Sequence, residues 1–204
     1  MIQIDIAHQL KRYRGIENLR IQANFQKGST VQISGPSGVG KTTLLRIIAG
    51  LLKPDKGLII SNGETWLETD RGINTTVQSR NLGFVFQDYA LFPNLSVKEH
   101  MSFGTKDQNW INRLLEMGRM EGFRDQKPRQ LSGGQQQRLA ILRALSTKPS
   151  LMLMDEPFSA LDQSLKLTFL PELKQLFKET EITALIVTHH PFELNAIKDD
   201  SLEL

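Results

Sequence analysis

Val31-Gln32-Ile33-Ser34-Gly35-Pro36-Ser37-Gly38-Val39-Gly40-Lys41-Thr42-Thr43-Leu44-Leu45-Arg46-Ile47-Ile48-Ala49 reads as a short apolar strand, a glycine-rich turn and an apolar helix. The turn fits the pattern G-x-x-x-x-G-K-[ST], and a strand before it with a helix after it is the context in which that pattern cradles phosphate. Backbone N–H groups of Gly35, Pro36, Ser37, Gly38, Val39 and Gly40, as far as each residue has one, can converge on an anion, and the helix aims its positive end at the same point. Lys41 supplies a mobile charge for the β- and γ-phosphates, and Thr42, followed by Thr43, offers a hydroxyl to Mg²⁺. A glycine-rich turn that merely caps a buried helix is the plain alternative. The strand, the Lys, the Thr and the helix in this order favour a nucleoside triphosphate.

The rest of the chain bounds the setting. It has 204 residues, enough for one medium domain with a proper core. Lys and Arg total 25 against 22 Asp and Glu, a formal charge of +3, and no long run of one sign occurs, so no nucleic-acid partner is expected. There is no cysteine, which excludes disulfides, thiolate zinc sites and cysteine nucleophiles. No apolar run approaches the roughly 20 residues of a membrane helix, and Met1 to Ile6 alternates like a strand rather than a signal peptide. A cytoplasmic protein is expected.

Ile2, Ile4 and Ile6 alternate, as do Leu19, Ile21, Ala23 and Phe25, which predicts paired antiparallel strands ahead of Val31–Ser34. Between them lies Tyr13, flanked by basic residues; it is either a surface aromatic or a ring that stacks on a purine. Gly50 ends the loop helix, and Leu82-Gly83-Phe84-Val85-Phe86 is a further strand that delivers Gln87 at its end. Gln87 is either a strand terminator or a side chain that reaches the metal and the attacking water. Ser96-Val97-Lys98-Glu99 has capping-box spacing, and a second helix is predicted over 109–117. Leu131-Ser132-Gly133-Gly134-Gln135 repeats that spacing and places two glycines in the first turn of a long helix, a second anion-ready helix end. Leu151 to Met154 is a buried strand ending in Asp155-Glu156. These carboxylates are either solvated turn residues or, beside a phosphate loop, a Mg²⁺ ligand and a group that orients water. Thr183 to Val187 is the next strand and leads to Thr188-His189-His190. In open parallel sheets the ligand lies at the carboxyl ends of the strands, where all of these groups gather.

Together, these motifs resemble the ATP-binding subunit of ABC transporters over residues 2–199. Gly35–Thr42 looks like the Walker A loop, Gln87 the Q-loop, Leu131–Gln135 the LSGGQ signature, Leu151–Asp155 with Glu156 the Walker B strand and its glutamate, Ser159–Asp162 the D-loop and His189 the switch histidine. The resemblance implies an α/β, RecA-like P-loop NTPase fold. It implies a mostly parallel sheet, an N-terminal antiparallel β subdomain and a helical subdomain inserted at about residues 88–145. It implies ATP and Mg²⁺ as cofactors, with Tyr13 against adenine and Thr42, Gln87 and Asp155 around the metal. Glu156, His189, Gln87 and Lys41 would be catalytic. Ser132, Gly133, Gly134 and Gln135 would bind ATP held by a second copy, giving a head-to-tail homodimer with two shared sites. The partners implied are a membrane permease docked near Gln87, Tyr89, Leu91 and Phe92, and an extracytoplasmic solute-binding protein. The chain would then sit peripherally on the inner face of the membrane.

Gly63-Glu64-Thr65-Trp66 and the stretch 80–93 look most like bacterial importers for molybdate, sulfate and related solutes, and the Trp66 segment with Arg71-Gly72-Ile73-Asn74 favours the molybdate branch. The family usually runs on past the switch histidine, whereas this sequence stops at Leu204, so no C-terminal regulatory domain is expected. His190 stands where relatives often carry Asp or another polar residue and is assigned a structural role. ABC proteins of translation carry two such cassettes, and those of DNA repair place a long coiled coil between the Q-loop and the signature. Here that gap is about 44 residues, which disfavours both.

Overall fold

The structure is a computed structural model that describes residues 1–12, 15–190 and 192–204. Among these, two five-stranded sheets carry the strands. In the first, β1 (Ile2–Arg12) lies between β2 (Gly15–Phe25) and β4 (Lys56–Ser61), continued by β5 (Glu64–Glu68) and β6 (Ile73–Asn74), all antiparallel. The alternation read from the sequence sets this register: Ile2, Ile4 and Ile6 point into the core and are at most 2% exposed. The second sheet is parallel. It comprises β3 (Thr30–Ser34), β7 (Leu82–Val85), β8 (Leu151–Asp155), β9 (Thr183–Val187) and β10 (Asp200–Glu203), in the spatial order β10-β3-β9-β8-β7. The expected α/β fold, with an antiparallel sheet beside a parallel one, is the one observed.

Parallel strands need long crossovers. Helix α1 (Lys41–Ala49) follows β3; α2 (Val97–Gly104), α3 (Gln108–Met117) and α4 (Gly133–Ser146) lie between β7 and β8; and α5 (Gln163–Glu179) lies between β8 and β9. Every residue of β8 and β9 is buried, and their side chains alternate between two cores. Leu151 and Leu153 join α1 and the antiparallel sheet, whereas Met152 and Met154 join α2 to α5. The caps stand where the sequence puts them. Gly50 closes α1 at φ 79°, and Ser96 with Glu99 and Ser132 with Gln135 form capping boxes on α2 and α4.

Two boundaries differ from expectation. Strand β7 stops at Val85, one residue before Phe86, which stacks on Phe84 with ring centroids 4.3 Å apart. Strand β10 has no counterpart in the sequence reading, because three of the four residues of Asp200-Ser201-Leu202-Glu203 are polar; it pairs on one side only, with β3. For function the important result is a single row across three strands. Ile33 of β3 and Asp155 of β8 both pair with Val187 of β9, so the phosphate loop, Glu156 and His189 leave the sheet at one edge.

Candidate functional site

The phosphate loop is pinned from both sides. Gly40 precedes α1 at φ 114°, in the region open mainly to glycine, and a Cβ there would lie 3.0–3.2 Å from the side chains of Leu19 and Leu10. The β1–β2 hairpin thus presses on the loop. Lys41 is only 5% exposed, and its ammonium donates to the carbonyls of Gly35 (2.7 Å) and Pro36 (2.9 Å). Burial lowers its pKa from the ordinary lysine value, while the carboxylates of Glu156 and Asp155 pull it back up. The charge is therefore held ready, satisfied by the loop it serves. Val39 completes the turn through a bond from its N–H to the Pro36 carbonyl.

Thr42 Oγ1 donates to Asp155 Oδ2 at 2.7 Å. The other carboxylate oxygen, Asp155 Oδ1, is buried and has no hydrogen-bond partner among the described residues. An orphaned buried oxygen beside a hydroxyl fits a cation, since the desolvation of such an atom is costly unless something fills its place. No cluster of three His, Asp or Glu side chains suited to a metal occurs among the described residues. That suits Mg²⁺, which is commonly held by one or two protein oxygens together with substrate phosphates.

Glu156 follows Asp155 with φ 49°, a left-handed conformation that a non-glycine residue adopts at a cost of about 1 kcal/mol or more. Its N–H donates to the Val187 carbonyl at 3.0 Å, and its Oε1 lies 2.8 Å from His189 Nε2. A cavity of about 270 Å³ brings together Ser37, Gly38, Gly40, Lys41, Thr42 and Thr43 of the loop with Gln87, Glu156 and His189. Gln87 and Thr42 also line an adjoining cavity of about 300 Å³ with Asp155. A larger groove of about 550 Å³, to which His190 contributes, runs beside α5 and takes in none of these groups.

The remaining expected residues lie elsewhere. Ser132, Gly133, Gly134 and Gln135 line neither cavity; Ser132 and Gly133 face solvent at the start of α4, and the Gln135 side chain caps the Ser132 N–H at 2.8 Å. Tyr13 lies outside the described residues. Of the side chains expected at a docking cleft, Tyr89 and Leu91 pack against the helical core, and Phe92 is 41% exposed. Phe92 opens, with Phe84, Phe86 and Phe103, onto a cavity of about 410 Å³. The backbone beneath is strained, with Tyr89 at φ 64° and Ala90 at φ 45°, and both carbonyls accept bonds from the Arg143 guanidinium of α4.

Sequence reading missed three positions that organise this site. Arg143 is one. His100 is fully buried, accepts the Phe92 N–H on Nε2 (3.0 Å) and holds the Ser96 carbonyl through Nδ1 (2.8 Å). Gln137 is 1% exposed and bonds to the Glu156 turn. The available signal was a polar residue at an inward-facing helical position, which spacing alone does not separate from a solvated one.

The fold and the site define a P-loop nucleoside triphosphatase. The sequence profile of ABC transporters matches residues 19–159, and the chain belongs to this family as an ATP-binding cassette, an ATPase. It is 43% identical over 188 residues to a probable sulfate/thiosulfate import ATP-binding protein of Chlorella vulgaris, covering 88% of this chain and 77% of that protein. It is 38% identical over 204 residues to the sulfate/thiosulfate import ATP-binding protein of Mesostigma viride, covering 96% of this chain and 56% of that protein. The chain thus spans little more than half of the second relative. Its structure is similar to the dimeric ABC transporter cassette MJ0796, with a TM-score of 0.85 at 31% identity, covering 100% of this chain and 94% of that one. The same cassette in a post-hydrolysis state bound to ADP and Pi gives 0.84.

Proposed function

We propose that this chain binds and hydrolyses ATP as the energy-supplying subunit of an importer, with residues 88–145 acting as an inserted helical unit. The observation that carries the reading is the convergence of Lys41, Thr42, Gln87, Glu156 and His189 on one cavity beside the orphaned Asp155 Oδ1. The loop amides and Lys41 bind the β- and γ-phosphates, and Tyr13 stacks on adenine. Thr42, Asp155 and Gln87 hold Mg²⁺, which when bound offsets phosphate charge.

The Glu156 carboxylate accepts a proton from a water as the water oxygen bonds to the γ-phosphorus. The bond from that phosphorus to the bridging oxygen breaks, and its electron pair leaves with ADP. His189, whose Nε2 lies 2.8 Å from Glu156 Oε1, holds the carboxylate on line. Lys41 exchanges its two carbonyl partners for phosphate oxygens and stabilises the charge that develops there.

Ser132 to Gln135 serve a second copy. The exposure of Ser132 and Gly133, and the fact that none of the four lines the chain's own cavity, support a head-to-tail pair with two shared sites, and the dimeric state of the MJ0796 cassette supports it further. Phe92 and its aromatic neighbours form the surface for a permease at the inner face of the membrane; no helix among the described residues is long and apolar enough to cross the membrane itself. The cargo proposed is sulfate or thiosulfate, delivered by an extracytoplasmic solute-binding protein. The names of the relatives carry this choice and give no support to molybdate. Trp66, on which the molybdate expectation leaned, is 2% exposed and serves the core. The first test is the solution mass of the Glu156→Gln variant with ATP–Mg²⁺ and with ADP. A dimer with ATP alone supports the shared sites; a monomer in both rejects ATP-driven pairing of the isolated chain.

A further inference from the structure

Gln137 carries a primary amide into the buried side of α4, next to a run of apolar side chains. It is 1% exposed, and Leu139, Ile141 and Leu142 after it are fully buried. A buried amide is tolerated only when its donors and acceptor are bonded, and here its three bonds go to one loop outside the helix. Nε2 donates to the Glu156 carbonyl at 3.0 Å and to Ser159 Oγ at 3.1 Å, and Oε1 accepts the Ala160 N–H at 2.9 Å. The helix itself gains nothing from the amide, and the loop gains three anchors.

The loop has a use for them. Glu156 is left-handed at φ 49°, and its carbonyl is drawn back over the turn by the N–H and hydroxyl of Ser159 as well as by Gln137. The direction of the Glu156 carboxylate depends on that turn being kept. Helix α4 can come this close because Gly134 faces the loop: a Cβ there would lie 2.9 Å from the Ala160 carbonyl oxygen. Gly134 and Gln137 lie one helical turn apart, on one face.

We propose that Gln137 is a positioning residue for hydrolysis: it ties the left-handed turn at Glu156 to the helix whose first turn, Ser132 to Gln135, is offered to the nucleotide of a second copy. The proposal rests on the reading above, in which Glu156 takes the proton of the attacking water. Its consequence is that capture of the partner's γ-phosphate by the start of α4 is felt at the chain's own Glu156 through one side chain.

The test compares the full chain with Gln137→Met and Gln137→Glu, measuring turnover, KM for ATP and nucleotide affinity with ATP–Mg²⁺ from pH 8 to 6. Gln137→Met keeps the volume and removes all three bonds. Its kcat should fall at least tenfold, with KM and nucleotide affinity within twofold of the parent. In Gln137→Glu a carboxylate opposes the Glu156 carbonyl, whereas its protonated form again has an O–H to donate. Its rate relative to the parent should therefore climb as pH falls, and the Met variant should show no such climb. A merely structural role would lower nucleotide affinity together with turnover in both variants and leave the relative rate flat with pH; that result, or a Met variant within twofold of the parent, overturns the proposal. Glu156→Gln run alongside separates the two readings. If it still turns over, the role of Glu156 fails; if it is dead while both Gln137 variants are normal, the present inference alone fails.

Discussion

His189 Nε2 lies 2.8 Å from Glu156 Oε1, reaching it from the neighbouring parallel strand. The carboxylate that would take the proton of water thus already has an imidazole at ion-pair distance in the single chain. Glu156→Gln keeps the shape and removes the base, so turnover should drop by about 10²–10⁴ while ATP binding is retained. His189→Ala should lower kcat more than it changes affinity. Steady-state hydrolysis alongside titration with a fluorescent ATP analogue checks both.

Two half-sites on one chain make a mixing experiment decisive. Lys41→Ala and Ser132→Ala should each be nearly inactive alone, one for want of phosphate charge and the other of the donor from across the interface. Mixed in equal amounts, about half of randomly formed pairs join the two variants and contain one site with neither lesion. Recovery of ATPase activity on mixing is the expected result; no recovery argues against shared sites.

His100 gives a pH dependence with a definite sign. Burial depresses its pKa below the ordinary 6.5; Arg143 on α4 also lowers it, while the bond to the Ser96 carbonyl and the charge of Glu99 oppose the shift. Below pH 6.5 the unfolded chain takes up a proton that the folded chain refuses, so the stability contribution is complete above 6.5 and is lost as pH falls toward the folded value. The slope in that window is at most about 1.4 kcal/mol per pH unit. Melting curves from pH 7.5 to 5 should fall more steeply for the parent than for His100→Asn, which cannot titrate.

Arg80 is 3% exposed, and its guanidinium donates to the carbonyls of Ile47, Ile48, Trp66 and Thr75 and to Asn74 Oδ1. It therefore closes the end of α1 against the antiparallel sheet. Arg80→Ala strips these acceptors of their donor and should cost about 3 kcal/mol, near 10 °C in Tm for a domain of this size. Arg80→Lys should recover little, because one ammonium cannot span the fork. Thermal unfolding of the three proteins decides it.

Much of the site was legible because its parts are local. Gly35 to Thr42, Ser132 to Gln135 and Asp155-Glu156 are each short stretches whose chemistry follows from residue type and the adjoining strand or helix. The strands around them were legible for the same reason, since alternation at Ile2 to Ile6 and unbroken apolarity at Leu151 to Met154 reflect one buried face or two. What stayed hidden depends on distant partners. Nothing near Gln137 announces that its amide meets residues 156–160, and nothing near His100 announces Phe92, eight residues back. Asp200 to Glu203 failed for another reason. An edge strand with one neighbour needs little apolar pattern, and β3 decides its pairing. The positive φ at Tyr89 and Ala90 was equally invisible, because Arg143 imposes it from 53 and 54 residues away.

Helix α4 touches solvent at Ser132, the Glu156 turn through Gln137 and the strained 89–90 backbone through Arg143. At 1.5 Å per residue its 14 residues make a rod of about 21 Å. Tilting such a rod by only five degrees about one end carries the other end about 2 Å, further than the few tenths of an ångström over which a hydrogen bond keeps its strength. A contact made at the first turn is therefore registered at the last with no intermediate to flex, and the tolerance for error in setting this helix is smaller than the width of one atom.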